Sequence, residues 1–215
     1  MKKLGLFVFM ACGTQLAVAG PMTIQTLYSN LGSPVSFEAS SGVTVSSGGT
    51  DLSTAFSFMV PNTGFNYQVT NIDFAAYLFN GTNEISATLY TDNGSGPGTE
   101  IYTTGPILGQ LGSTAVLLLE NVTNGPILDQ GQTYWLSLDA PTDATVGWSY
   151  NDSGAISAPA TFDSVNGWTV QGTTRSQGAF EIDGVIASPE PVSTALVCSG
   201  ILALVGLRRK SKATF

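Results

Sequence analysis

Histidine is absent from this 215-residue chain, and cysteine occurs only twice, at Cys12 and Cys198. Both cysteines lie in the apolar runs near the two ends, so the long stretch between them has no disulfide and no thiol nucleophile. Without imidazole there is no Ser-His-Asp triad, no Cys-His pair and no His-ligated zinc or iron site. Positive charge is almost as scarce. Lys2 and Lys3 stand at the start, Arg208, Arg209, Lys210 and Lys212 at the end, and only Arg175 falls between residues 20 and 188. That stretch holds fourteen acids against its single base, a formal charge of −13. Such a field repels nucleic acid and anionic headgroups, so no nucleic-acid partner is expected, and it favours solubility.

What is present begins at the two ends. Lys2 and Lys3 form a basic start, Leu4 to Cys12 an apolar run, and Ala17-Val18-Ala19 a small-residue site ahead of Gly20. This is the pattern of a secretory signal peptide over residues 1–19, cleaved between Ala19 and Gly20, and it implies the Sec translocon and signal peptidase as partners. Cys12 follows Phe9-Met10-Ala11, and the Phe departs from a lipoprotein cleavage site. At the other end, Pro189-Glu190-Pro191 precedes an uncharged run from Val192 to Leu207 and then Arg208-Arg209-Lys210. As a helix, residues 192–207 span roughly 24 Å, short against a hydrocarbon core of about 30 Å. Snorkelling of the basic cluster and local thinning of the bilayer make up the difference. The cluster acts as a membrane stop on the cytoplasmic side, which leaves the preceding chain outside, and Pro191 suits a helix start.

These tail residues resemble the PEP-CTERM sorting signal of proteins exported by Gram-negative bacteria. The resemblance covers residues 188–212. It implies recognition and processing by the membrane enzyme exosortase, with Pro189, Glu190 and Pro191 as the recognition site. It further implies an inner-membrane intermediate, then the cell surface or extracellular matrix, and an association with exopolysaccharide.

Residues 20–187 read as one domain with room for a sizeable core. Period-two alternation recurs: Ile85, Ala87 and Leu89; Tyr134, Leu136 and Leu138; Val146, Trp148 and Tyr150; Phe56, Phe58 and Val60; and Phe180 with Ile182 in the expected last strand. Asn80-Gly81, Asp92-Asn93-Gly94, Asn124-Gly125 and Asn166-Gly167 punctuate these runs as turns. Helical apolar stripes are missing outside the two ends. The pattern predicts an all-β fold, an antiparallel β-sandwich of jelly-roll type, with an irregular loop over Ser40 to Asp51. Gly105-Pro106-Ile107-Leu108 recurs as Gly125-Pro126-Ile127-Leu128, read as two similar strand starts rather than a solenoid repeat.

Ser86 to Thr99, Gly131 to Leu138 and Gly147-Trp148 resemble the choice-of-anchor group of bacterial surface domains, with the R type as the suggested member. That implies a self-contained extracellular module and carries no catalytic residues with it. On the residues themselves, Trp135, Trp148, Trp168 and Tyr150 are candidate glycan contacts, because aromatic faces stack on sugar rings. Trp135, out of phase with its apolar neighbours, is expected to be the exposed ring, and Trp148 has a core alternative. Asp92, Asn93 and Glu100 are the candidates for an oxygen-only calcium site, although turn chemistry accounts for them without a metal and no cofactor is expected. The competing reading is an extracellular carbohydrate-active enzyme with a carboxylate pair such as Asp139 and Asp143, or Asp163 and Glu181.

Overall fold

The computed structural model describes residues 23–46, 53–141 and 143–187; the signal peptide, the sorting triplet, the membrane helix and the basic cluster expected from the sequence lie outside them. The chain forms β1 (Gln25–Ser29), β2 (Phe37–Ser46), β3 (Ser53–Met59), β4 (Tyr67–Asn80), β5 (Glu84–Asp92) and β6 (Pro97–Thr103). It continues through β7 (Ile107–Leu108), β8 (Val116–Asn121), β9 (Ile127–Leu128), β10 (Thr133–Asp139) and β11 (Thr145–Asn151). The last elements are β12 (Ile156–Ser157), β13 (Ala160–Asp163), β14 (Gly167–Val170), β15 (Arg175–Ser176) and β16 (Phe180–Ile186). No helix occurs among the described residues.

All pairings are antiparallel and build two large sheets, with β12 and β15 forming a separate two-stranded one. The first runs β1-β16-β4-β11-β2, with β8 and β9 also on β4; the second runs β14-β13-β3-β10-β5-β6, with β7 on β5. Their apolar faces meet in one core. Phe56 of β3 packs edge-on against Trp148 of β11 at 5.2 Å, and Phe58 against Phe180 of β16 at 5.9 Å. The alternations read from the sequence fall on this interface: Ile85, Ala87, Leu89, Leu136, Leu138, Val146 and Ile182 are all fully buried.

Trp148 occupies the centre. Its indole N–H donates to the carbonyl of Ala179 at 3.1 Å, and a Cβ on Gly178 would collide with its ring atoms. Beside it, a polar network ties the sheets together. Asn30 donates to Gln177 Oε1 at 3.1 Å and to the Gly178 carbonyl at 2.8 Å, while Gln177 Nε2 donates to the Ser57 carbonyl of β3 at 2.9 Å. Buried amides are tolerated because they are hydrogen-bonded.

The second sheet curls into a half-barrel. Trp168 on β14 lies four strands from Tyr90 on β5, roughly 19 Å away in a flat sheet at about 4.8 Å per strand. Yet their ring centroids are 5.3 Å apart, so the β13–β14 hairpin folds over the face of the sheet turned away from the main core. Trp135, Ala55 and Ala160 form a second small core beneath it.

Two expectations change here. Ser40 to Ser46 is strand, not irregular loop, because Val43 and Val45 alternate into the core and pair with Trp148 and Val146 of β11; residues 47–52 lie outside the described chain. The two Gly-Pro-Ile-Leu segments do begin short strands, but on opposite phase: Ile107 and Leu128 are buried, Leu108 and Ile127 exposed. The expected turns hold, with positive φ at Gly81, Gly94, Gly167 and Asn124, the last being the only described non-glycine residue in that region.

Gly178→Ala should lower stability by about 3 kcal/mol, since the added methyl must displace a ring enclosed by packed side chains. Thermal unfolding is expected roughly 6–12 °C lower, with the fold retained by far-UV circular dichroism.

Candidate functional site

The structure separates the sequence-derived candidates. Trp148 has no exposed surface and belongs to the core, so it is removed as a glycan contact. Trp135, expected as the exposed ring, is 6 % exposed, because the β13–β14 hairpin covers the outward face of its strand. Its indole N–H donates to Asp92 Oδ1 at 2.8 Å. Tyr150 packs partly buried against the main core. Trp168 is likewise half-buried and belongs to an aromatic group, between Tyr90 and Phe162, whose ring centroid is 5.4 Å away. Burial first, then the charges of Asp139 and Glu100, push the Tyr90 hydroxyl up to about 12, so it remains a neutral donor.

Next to this group an open cleft of about 330 Å³ is lined by Thr91, Asp92, Asp129, Gly131, Gln132, Thr133 and Tyr134. Asp92 and Asn93 serve local structure: Asp92 Oδ2 accepts from Gly94 N at 3.1 Å, and Asn93 Oδ1 from Ser95 N at 2.8 Å. Glu100 accepts from Thr103 Oγ1 at 2.9 Å. These three oxygens thus already have donors, and the carboxyl cluster that the structure assembles lies elsewhere.

The suggested catalytic pairs also divide. Asp163 on β13 caps its own turn, accepting from Val165 N and Asn166 N, whereas Glu181 lies on β16 of the other sheet. Asp143 accepts from Thr82 Oγ1 at 2.6 Å. Asp139 accepts from Thr88 Oγ1 at 3.1 Å, and burial holds its carboxyl above the usual range despite that bond. Asp139 shares a cleft of about 270 Å³ with Glu84, a pairing that strand spacing alone did not reveal.

The group that sequence reasoning missed is Asp73, Glu181 and Asp183. Their carboxyl oxygens lie within 4.8 Å of one another. Burial first, then Asp183 and Glu181, push Asp73 up to about 6; a backbone hydrogen bond from Glu120 offsets part of this. A folded-state pKa above the unfolded value means the protonated acid is favoured by the fold. Its contribution is therefore complete below about pH 4 and is lost as pH rises through about 6. Alternation of Glu181 and Asp183 was visible in the sequence; their partner on β4 was not.

Compared with protein-family models, curated proteins and solved structures, the chain matches none.

Asp92→Ala leaves the buried Trp135 N–H without its acceptor and should cost about 1–2 kcal/mol, with a shift in tryptophan emission. Asp92→Asn keeps an oxygen at that position and should stay within about 0.5 kcal/mol of the parent by urea unfolding.

Proposed function

We propose that this is an exported, non-catalytic surface or matrix module, processed by an exosortase after recognition at Pro189, Glu190 and Pro191 and associated with exopolysaccharide. The observation that carries the reading is the order of tail elements, a Pro-Glu-Pro triplet, an uncharged run and a basic cluster, in a chain that starts with a secretory signal pattern. The resemblance to choice-of-anchor domains supports a self-contained body between them.

Strand neighbours support a way of presenting that body. Gln25 at the start of β1 pairs with Gly184 near the end of β16, so the chain enters and leaves the described domain at one end. Ile127 pairs with Gln68 and Ile186 with Tyr67, while Phe65 precedes them, so these three exposed apolar side chains gather at the end from which the tail departs. That end would face the membrane before processing. A jelly roll is the connectivity we favour for the fold: β2-β11-β4-β8 faces β3-β10-β5-β6, the alternation of two Greek keys.

Trp168, with Tyr90 and Phe162, is the aromatic surface best suited to stack on a sugar ring, and the polar cleft beside it offers acceptors for hydroxyls. The second reading, a carbohydrate-active enzyme, draws on Glu84 and Asp139 sharing one cleft. Catalysis by such a pair needs an acid and a base across a sugar.

Replacing Pro189, Glu190 and Pro191 by alanine should leave an unprocessed, membrane-retained protein; normal removal of the tail in that variant would overturn the sorting reading. For the body, the purified full chain should be retained by a neutral polysaccharide without releasing reducing ends, and Trp168→Ala should weaken retention about tenfold, the loss of one stacked ring. Turnover abolished by Asp139→Asn would instead establish the enzyme.

A further inference from the structure

Three carboxylates meet on the outer face of the first sheet. Asp73 on β4 lies directly opposite Glu181 on β16, and Asn71 opposite Asp183, so pairing and alternation put the three acids on one side. Like charges opposite one another on a sheet destabilise it unless something neutralises them. No base does so here: Arg175, the only basic residue among those described, lies on β15 in the separate two-stranded sheet with β12.

A second, independent feature points to a ligand. Asp73 is only 9 % exposed, and its Oδ1 is buried with no hydrogen-bond partner; Asp183 Oδ1 is buried and unpartnered as well. An orphaned carboxylate oxygen in such a place forfeits its hydration and gains nothing in exchange. Two of them in one cluster of three acids describe a site that lacks its positive charge.

We propose that Asp73, Glu181 and Asp183 bind a divalent cation, with calcium as the preferred ion. The donor set is entirely oxygen, the chemistry of hard cations, and the body has no imidazole or thiolate to draw zinc or copper. Calcium–oxygen bonds of about 2.4 Å place opposite ligands about 4.8 Å apart, and the three carboxyl oxygens lie within that span. Monodentate or bidentate binding by three carboxylates, completed by water, reaches the coordination number of six to eight that calcium takes. The ion would fasten β16, the last strand before the tail, to β4 at the centre of the sheet. Affinity in the range of extracellular calcium modules, a Kd of about 0.1–1 mM, is expected for a site on a sheet face.

The test uses the full-length chain in detergent, stripped with chelator, and calcium chloride alone as the probe. At about 10 mM calcium, pH 7, the melting temperature followed by tryptophan fluorescence should rise saturably by roughly 3–10 °C, as mass action on the folded state requires. Asp73→Asn should abolish the response while melting no lower than the metal-free parent, because it also removes a repelled charge; Asp183→Asn should weaken the response at least tenfold. Asp92→Asn, in the loop turn, should keep it. A rise reproduced by sodium chloride at matched ionic strength, a response that survives Asp73→Asn, or no response to calcium would each overturn the proposal. Because the readout is unfolding rather than tail removal, these outcomes are independent of the sorting reading.

Discussion

One contact organises the domain: the Trp148 ring lies where a side chain at residue 178 would have to be. Glycine there lets β16 approach β11 closely enough for the indole N–H to reach the Ala179 carbonyl, and the ring in turn packs against Phe56 and Phe180 from both sheets. With no disulfide in the described residues, cohesion rests on this packing and on the Asn30–Gln177 network next to it. A large aromatic held by one hydrogen bond and three facing elements admits little rearrangement, since interiors are packed like organic crystals.

Charge is managed locally, because almost no base is available to manage it otherwise. Asp163 accepts backbone N–H groups of its own turn, and its carboxyl is accordingly held below the usual range. Asp92, Asn93 and Asp143 likewise find donors nearby. Against that pattern the Asp73 cluster stands apart: Asp73 accepts from the Glu120 backbone, but its Oδ1 and that of Asp183 are buried without a donor. Asp139 is an intermediate case, buried yet hydrogen-bonded to Thr88 and Ser137. The chemistry of the body therefore falls on two faces: the acidic face of the first sheet, and the second sheet, where the Trp168 group and the Glu84–Asp139 cleft meet through Tyr90, whose hydroxyl feels the Asp139 charge.

The all-β class, the phases of β5, β10, β11 and β16 and the positive-φ turns were legible in the sequence, because alternation and Asn-Gly chemistry are local properties. So was the exclusion of histidine and thiol chemistry between residues 20 and 188. Only the tertiary structure decided which faces are covered. Trp135 is out of phase with Leu136 and Leu138, as its sequence position says, but the curl of the second sheet buries that face too. Val43 and Val45 turn a serine- and glycine-rich segment into strand because β11 offers them a partner. Asp73 and Glu181 become neighbours through strand pairing alone, and period-two alternation specifies a face but not what lies across from it.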